Sequence, residues 1–146
     1  MAMDIQEFWK DNLLISTDPN RLQIEMICDF LSRTHWAQSQ SRQATERAIA
    51  NSLCYGVYDG DKQIGFARVV TDFATFAWIA DVFILEEYRG RGLAKWLMSC
   101  ILVHPELQSM RGWVLATRDA HGLYQQFGFV GLHNTERFME LFRSDL

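Results

Sequence analysis

A short segment in the second half of the chain contains the residues best suited to hold a phosphate group. It reads Arg-Gly-Arg-Gly at positions 89–92 and continues to Lys95. A strand-like apolar run precedes it and a helical apolar run follows it, so the glycines occupy a strand-to-helix turn. Such a turn exposes backbone N–H groups, and the start of the helix adds a partial positive charge. Because Arg89, Arg91 and Lys95 add three formal charges, the segment predicts a phosphate or pyrophosphate site.

Two other phosphate-binding patterns do not fit this turn. A P-loop needs GxxxxGK[ST], which the sequence lacks. The dinucleotide pattern GxGxxG needs a third glycine, and no βαβ unit opens the chain. Taken alone, the segment has one other explanation, which is a tight strand-to-helix turn with solvated basic residues.

A second pattern follows the turn after a predicted helix and strand. It reads Ala120-x-x-x-Tyr124-x-x-x-Gly128-Phe129. This pattern is similar to the A-x-x-x-Y-x-x-x-G-F pattern of the GNAT superfamily of N-acetyltransferases. The turn, read as Arg89-x-x-Gly92-x-Ala94, resembles that family's R/Q-x-x-G-x-G/A signature. The two motifs occur in the family's order, and the order of predicted elements extends the resemblance over nearly the whole chain.

The resemblance implies that acetyl-CoA is the cosubstrate and that the turn binds its pyrophosphate, mainly through backbone N–H groups. The implied turn residues are Arg89, Gly90, Arg91, Gly92, Leu93, Ala94 and Lys95. The preceding strand would pair its backbone with the pantetheine arm at Phe83, Ile84 and Leu85. In this family a bulge commonly separates that strand from its neighbour, and an N–H near Ile84 would polarise the thioester carbonyl. Thr117 stands where many relatives have asparagine, and its hydroxyl would bond the pantetheine or a water.

Three side chains are candidates for proton transfer. Tyr124 matches the family's general acid, and the alternative is a half-buried tyrosine whose ring packs on the sheet. Asp81 lies mid-strand among apolar neighbours, where burial of an unpaired carboxylate is costly. We therefore take Asp81 as the first candidate for the general base, with an ion pair to Arg68 as the alternative. Asp72, at the end of the preceding strand, is the second candidate for the base.

The candidate residues for the acceptor site lie in two regions. His35 and Trp36 fall in the loop between the first two predicted helices, which in this fold often forms a wall of the acceptor site. Asp72, Phe76 and Trp78 come from the strands beside it. The alternative for the aromatic residues is an ordinary place in the core or on the surface.

The resemblance predicts an N-acetyltransferase that acetylates a primary amine of a small molecule or peptide by direct attack of the amine on the thioester. A catalytically silent acyl-CoA-binding sensor with the same fold is the alternative. Tyr124 and Asp81 favour the enzyme, because a protein that only binds acyl-CoA needs neither. The oligomeric state is open, with a homodimer through the C-terminal strand as one alternative.

Composition narrows the function classes further. The 146 residues carry a formal net charge of -4, which disfavours nucleic acid and anionic lipid as partners. Hydrophobic residues make up 49% and charged residues 22%, as in an ordinary globular protein. No run approaches the ~18 apolar residues of a membrane span, and no signal peptide is recognisable. We expect a cytoplasmic protein with a single domain over residues 1–146.

Cysteine and histidine spacing predicts neither a disulfide nor a metal site. Cys28, Cys54 and Cys100 form no CxxC pair, and each lies in an apolar stretch. Free cysteine packs like a small hydrophobic residue, so all three are expected to be buried thiols. The four histidines show no i, i+4 pairing and have no cysteine partner nearby.

Hydrophobic periodicity predicts the elements that position these residues. A helix opens at Asp18-Pro19, and Ser39 or Ser41 caps a second helix. An antiparallel meander follows, with strands over residues 53–58, 63–72 and 74–85. The remaining elements are a first strand over 13–15, a helix over 93–103, a strand over 112–117, a helix over 121–127 and a last strand over 138–142. This order predicts an α/β (α+β) fold with a mixed central sheet flanked by helices, which is the fold of the GNAT family.

Overall fold

The computed structural model describes residues 3–143. The chain divides into two compact units, Met1–Ala116 and Thr117–Leu146. The first unit contains a six-stranded sheet and three α-helices, and the second contains a short α-helix. None of the helices within residues 3–143 has the length and apolar character needed to cross a membrane. That the chain is a single domain stays a prediction.

The six strands lie in the sheet in the order in which they occur in the chain. They are β1 (Glu7–Lys10), β2 (Leu13–Ser16), β3 (Leu53–Asp59), β4 (Lys62–Thr71), β5 (Phe76–Ile84) and β6 (Gly112–Leu115). Neighbours are antiparallel from β1 to β5, whereas β5 and β6 are parallel. The mixed sheet and the β3–β5 meander confirm the predicted fold class.

The helices are α1 (Ile24–Ser32), α2 (Arg42–Ala50), α3 (Leu93–Leu102) and α4 (His121–Gln125). Of the two predicted caps for α2, the structure selects Ser41, whose Oγ accepts a hydrogen bond of 3.1 Å from the N–H of Ala44. This bond satisfies one of the N–H groups that a helix start leaves without an internal partner.

One face of the sheet packs against α1. Cys54, Phe66 and Phe83 form a buried cluster with Ile27 of this helix, among other residues. The rings of Phe30 and Phe83 stack with centroids 3.9 Å apart. Burial of such side chains contributes about 1.5–3 kcal/mol each, so this cluster fixes the end of β5 that precedes the glycine turn.

The opposite face packs against α3. Tyr55 follows Cys54 in β3 and therefore points to the other side of the sheet. There its ring meets His104 edge-on, just beyond the end of α3. Leu97, Met98 and Ile101 of α3 are fully buried. The helix that follows the glycine turn is thus held firmly on the sheet by its apolar side.

Two predictions for the N-terminal region need correction. Asp18 caps a 3-10 turn at Pro19–Arg21, accepting from the N–H of Asn20 at 2.9 Å, instead of opening the first helix. Leu22 is extended, so α1 begins only at Ile24. The sequence pattern also did not predict β1, which pairs with β2 through a tight turn where Asp11 has a φ of 54°.

The predicted last strand is wrong. Residues 138–142 have no strand conformation and follow a 3-10 turn at Thr135–Arg137. Their apolar side chains, including Met139 and Leu141, are exposed. A β-prone run becomes a strand only where a neighbouring edge supplies hydrogen bonds, which the pattern alone does not show. Within residues 3–143, there is therefore no C-terminal strand through which a homodimer could form.

Candidate active site

The strand β5 contains a bulge at Asp81. Phe66 pairs with Phe83 and Arg68 pairs with Ala80, so one residue of β4 lies opposite two residues of β5, Asp81 and Val82. Asp81 has a φ of 54°, in the left-handed region that residues with a side chain rarely adopt. The strand before the turn therefore has the bulge that the family resemblance implied.

Beyond the bulge, β5 has a free edge, where no strand within residues 3–143 pairs with it. The pairing of β5 with β6 runs from Phe76 opposite Gly112 to Ile79 opposite Leu115, where β6 ends. Because β5 continues to Ile84, its last five residues, 80–84, extend past the end of β6. An extended ligand can pair with strand backbone at such an edge.

The backbone of Ile84 points to this free edge. On the other edge, the N–H of Leu85 donates to the carbonyl of Ile64 at 2.8 Å. Backbone groups of successive residues in an antiparallel strand alternate between the two edges, so those of Ile84 point away from β4. The Ile84 carbonyl there accepts a hydrogen bond of 3.0 Å from Nε of Arg89.

This register separates the three strand residues that were predicted to hold the pantetheine arm. Ile84 presents its N–H to the free edge. The backbone groups of Phe83 point to β4, and the N–H of Leu85 is already bonded within the sheet. The sequence pattern did not indicate Val82, which lies two residues before Ile84 and shares its edge by the same alternation. The register of β5 identifies the edge to which Val82 points, and the sequence does not show this register.

The glycines of the turn direct backbone N–H groups outward. Gly90 and Gly92 have φ values of 78° and 75°, which glycine adopts without steric cost. The first hydrogen bond of α3 joins the N–H of Trp96 to the carbonyl of Gly92 at 3.0 Å. The N–H groups of Leu93, Ala94 and Lys95 therefore lie in the first turn, where a helix offers no internal acceptor.

Space above the turn is open. A Cβ atom placed on Gly90 or Gly92 would meet no atom within 4 Å. The glycines are therefore needed for their backbone conformation, since nothing crowds them. Outward N–H groups, the dipole of a ten-residue helix and free space form the kind of site that binds a phosphate.

The side chain of Arg91 is anchored at the base of the turn. The guanidinium of Arg91 lies 5.1 Å from the ring centre of Tyr88, and its Nη2 is 3.4 Å from the carbonyl oxygen of Glu87. Tyr88 in turn donates to Oδ2 of Asp59 at 2.7 Å, which ties the turn to the end of β3. Lys95 is exposed in the first turn of α3. The turn is thus positively charged and fixed in place.

The carboxylate of Asp81 joins three elements of the first unit. Its Oδ2 accepts from Nε of Arg68 at 2.8 Å, and its Oδ1 accepts from Nε1 of Trp36 at 2.8 Å. The side chains of Arg68 and Asp81 are only 17% and 8% exposed. Arg68 also donates to Oγ of Ser52 at 3.1 Å. The ion pair named as an alternative for Asp81 is therefore present, and Trp36 is brought beside it.

The loop between α1 and α2 reaches β5 through this contact. Trp36 is 48% exposed although its indole N–H is bonded to Asp81, so one side of its ring faces solvent. His35 packs edge-on against it, with ring centroids 5.1 Å apart. Phe76 and Trp78 are exposed on β5, three or more residues before the bulge. Trp36 of the loop thus lies beside the stretch of β5 that carries Phe76 and Trp78.

Asp72 is occupied in the turn between β4 and β5. Its Oδ1 accepts from the N–H groups of Ala74, Thr75 and Phe76 at 2.9, 2.7 and 3.3 Å, and its Oδ2 accepts from Oγ1 of Thr75 at 2.6 Å. The Thr75 hydroxyl and these N–H groups hold the pKa of Asp72 well below its usual range. Such a carboxylate is a weak proton acceptor, so its geometry fits a turn-forming role better than the role of a base.

In the second unit, a glycine stop after α4 fixes the position of Tyr124. Gly128 has a φ of 91°, and the chain reverses so that Phe129 N–H bonds the Tyr124 carbonyl at 3.3 Å and Gly128 N–H bonds the Gln125 carbonyl at 3.1 Å. The Phe129 ring meets the Tyr124 ring edge-on at 5.9 Å. Burial raises the pKa of Tyr124, which keeps its hydroxyl protonated at neutral pH.

Thr117 forms the turn that leads into α4. Its Oγ1 accepts a hydrogen bond of 3.0 Å from the N–H of Ala120. A hydroxyl that accepts in this way keeps its own proton for a further bond. The expected contact of Thr117 with the pantetheine or a water is therefore compatible with its role in the turn.

The cysteines differ in burial. Cys54 and Cys100 are buried, and burial raises their pKa values to about 12 and about 11. Cys28 is only half-buried, which corrects the expectation of three buried thiols. Within residues 3–143, no three His, Cys, Asp or Glu side chains come together as a metal site would require.

Comparison with known proteins agrees with this geometry. A family model described as "Acetyltransferase (GNAT) domain" matches residues 50–131. This chain belongs to the GNAT family. The matched range includes the meander, the bulge, the glycine turn and the Tyr124 motif. The predicted family and fold are thereby confirmed.

Individual proteins are similar to this chain. A crystal structure of a candidate GNAT acetyltransferase from Xanthomonas campestris pv. campestris is 44% identical, covers 92% of this chain and 95% of its own, and has a TM-score of 0.89. A candidate acetyltransferase of Gibberella zeae is 28% identical over 74% of this chain and 70% of its own length. A GNAT acetyltransferase from Elizabethkingia anophelis with acetyl-CoA bound shares the fold at 19% identity, with a TM-score of 0.60 over 81% of this chain and 76% of its own.

The depressed pKa of Asp72 predicts a pH-dependent contribution to stability. Because the pKa in the folded state lies below the usual value, this contribution is present above about pH 4 and is lost as the pH falls through the folded pKa. Asp72→Asn should therefore be less stable than the wild type at pH 7. The gap should narrow below pH 4, as measured by denaturant unfolding. A gap that is constant from pH 7 to pH 3 would contradict the assignment.

Proposed function

We propose that this protein is an N-acetyltransferase that uses acetyl-CoA to acetylate a primary amine of a small molecule or peptide. The observation that carries the proposal is the continuous path from the free edge of β5 at Ile84 to the outward N–H groups at the start of α3. A strand edge for an amide-containing arm followed by an anion site for a pyrophosphate matches the shape of coenzyme A. Membership of the GNAT family supports the same donor.

Each part of this path has a separate role. The N–H groups of Leu93, Ala94 and Lys95, with the helix dipole, bind the pyrophosphate. Arg89 fixes the start of the turn through its bond to the Ile84 carbonyl. The N–H of Ile84, and that of Val82 before it, are available to hydrogen-bond the pantetheine or the thioester carbonyl. A backbone N–H aimed at that oxygen stabilises the charge that develops during attack.

The reaction itself is a single acyl transfer. Acetyl-CoA supplies an electrophilic carbonyl carbon and a thiolate leaving group. The neutral amine forms the new N–C bond while the C–S bond breaks. The nitrogen gives up one proton and the sulfur gains one, so the products are an acetamide and coenzyme A thiol.

Tyr124 is the proposed donor of the proton that the sulfur gains. Burial raises its pKa, so the phenol holds its proton at neutral pH. The helix stop at Gly128 and the packing of Phe129 fix the ring, which restricts where the hydroxyl can point. A fixed and protonated hydroxyl is suited to general acid catalysis.

Asp81 is the proposed acceptor, through a water, of the proton that the amine loses. Its carboxylate is held in one orientation by Arg68 at Oδ2 and by Trp36 at Oδ1. Its place in the bulge puts it beside Val82, at the start of the free edge. We expect no nucleic acid or membrane partner, because the chain has a formal net charge of -4.

Calorimetry with acetyl-CoA tests the donor site. Gly92→Val should weaken binding about tenfold, because a β-branched residue at a φ of 75° distorts the turn at a cost of about 1–2 kcal/mol. Arg91→Ala should weaken it less, since Arg91 is one of three cations and stacks on Tyr88. Gly60→Val is the matched control, because Gly60 also has a positive φ and open surroundings but lies in the β3–β4 hairpin.

Thiol release in the presence of pooled amines tests catalysis with the same preparation. The proposal requires both tight acetyl-CoA binding and amine-dependent release of coenzyme A. Binding without any release would favour the acyl-CoA sensor. No binding at millimolar acetyl-CoA would overturn the donor site as well.

Tyr124→Phe should lower turnover by about 10²–10⁴-fold while leaving the affinity for acetyl-CoA nearly unchanged. The change removes one hydroxyl and keeps the ring that packs on Phe129. Single-turnover kinetics would measure the chemical step directly. Tyr55→Phe removes the hydroxyl of another buried tyrosine and serves as the control. Equal chemical rates for Tyr124→Phe and the wild type would assign Tyr124 to a structural role.

Asp81→Asn should remove or shift the acidic limb of the profile of kcat/KM against pH, because it keeps the shape of the side chain and deletes the base. Asp72→Asn should leave that limb in place, since Asp72 is bound within its own turn. Thermal unfolding of both variants separates catalysis from stability, because Asp81→Asn also breaks the pair with Arg68. An unchanged limb in Asp81→Asn would leave Asp81 as a structural ion pair only.

A further inference from the structure

We infer that the amine acceptor carries an aromatic ring on a short linker, and that a set of exposed apolar side chains on the α1 side of β5 binds this ring. This inference rests on the proposed function and specifies its substrate class. The set, which we call the apolar wall, consists of Trp36, Val70, Phe76 and Trp78. Their exposed fractions are 48%, 40%, 43% and 36%.

Strand register places three members of the wall together. Val70 of β4 lies directly opposite Trp78 of β5. Directly opposed residues of an antiparallel pair project to the same face, with Cβ atoms about 4.5–5.5 Å apart. Phe76 lies two residues before Trp78 in the same strand and therefore shares this face. The three side chains form one continuous apolar surface.

Hydrogen bonds place the fourth member on the same face. Arg68 precedes Val70 by two residues in β4, so its side chain also projects to this face. Arg68 binds Asp81, and Asp81 accepts the indole N–H of Trp36. Trp36 therefore borders the wall on the side of the bulge. The bond to Asp81 fixes its ring, so little freedom is lost when a ligand stacks on it.

The position of the wall suits a compact arylalkylamine. Trp78 and Val82 are four residues apart, which corresponds to about 13 Å of strand. A ring held between Trp78 and Trp36 would extend over most of this distance, because the Trp36 indole is bonded to Asp81, the residue before Val82. The remaining gap to the free edge at Val82 would then be short. An amine on a linker of two or three atoms can cross that gap. The amine would then meet the site where we place the thioester carbonyl.

The charges near the wall argue against a polycationic acceptor. Each carboxylate of α1 and α2 pairs with an arginine: Asp29 with Arg33 at 3.0 Å, and Glu25 and Glu46 with Arg42 at 2.6 and 2.7 Å. Asp81 is paired with Arg68, and Asp72 accepts four hydrogen bonds in its own turn. A polyamine requires several carboxylates that are not neutralised in this way. The recognition surface is apolar, and aromatic rings bind such surfaces by stacking and edge contacts.

Binding measurements test the substrate class independently of turnover. 2-Phenylethylamine, ethanolamine and spermidine are titrated into protein saturated with coenzyme A, and binding is followed by calorimetry. We expect 2-phenylethylamine to bind at least about tenfold more tightly than either of the other amines. Trp78→Ala and Phe76→Ala should each weaken its binding, by about tenfold for the tryptophan, and leave coenzyme A binding unchanged.

Trp9→Ala is the matched control. Trp9 is also an exposed tryptophan, but it lies in β1, at the opposite end of the sheet from the β5–β6 edge. Its removal should change neither affinity. Equal binding of the three amines, absence of 2-phenylethylamine binding, or an unchanged affinity in both Trp78→Ala and Phe76→Ala would each overturn the inference.

Product analysis with acetyl-CoA separates this inference from the proposed function. If 2-phenylethylamine binds at the wall but no amine is acetylated, the wall is supported and the acetyltransferase function is overturned. If spermidine is acetylated while 2-phenylethylamine neither binds nor reacts, the function stands and the substrate class is wrong.

Discussion

The extra residue in β5 is the constraint on which the first unit of this protein depends. In a regular strand, the backbone groups of Ile84 would point to β4. They could then not bond a ligand at the free edge. The bulge costs free energy, because Asp81 occupies the left-handed region at about 1–3 kcal/mol. The same residue offsets that cost through its ion pair with Arg68 and its bond to Trp36. Aspartate thus stabilises a backbone conformation that would otherwise favour glycine.

The proposed donor site is built mainly from backbone groups. Gly90 and Gly92 set the direction of the N–H groups, and the buried side of α3 holds the helix in place. Tyr88 links the turn to the end of β3 through Asp59. Side chains here act as supports, so many residue types can occupy the turn positions while the glycines cannot be replaced without strain. The proposed acceptor side is the reverse, because the exposed side chains of Trp36, Phe76 and Trp78 would define its chemistry.

Local signals in the sequence were enough to predict the middle of the fold. The β3–β5 meander, α3 and the glycine turn follow from alternation, helical period and glycine spacing, which act over a few residues. The predicted last strand fails because strand formation depends on a partner edge. The contact of Trp36 with Asp81 joins residues 45 apart in the chain, and no local pattern reports it. For Asp81, the sequence suggested a partner in Arg68, but the bulge that makes the pair useful appears only in the register.

Burial makes the cysteines of this protein poor nucleophiles toward a thioester, because it raises the pKa values of their thiols. Thiolates exchange with thioesters and would take an acetyl group from a bound donor. With a pKa of about 12, Cys54 exists as a thiolate in only about one molecule in 10⁵ at pH 7. Cys100, at about 11, is nearly as inert, and the pKa of Cys28 is also raised. A thiol whose pKa is raised in this way is a poor nucleophile, so under the proposed function these cysteines would compete little with an amine for the thioester.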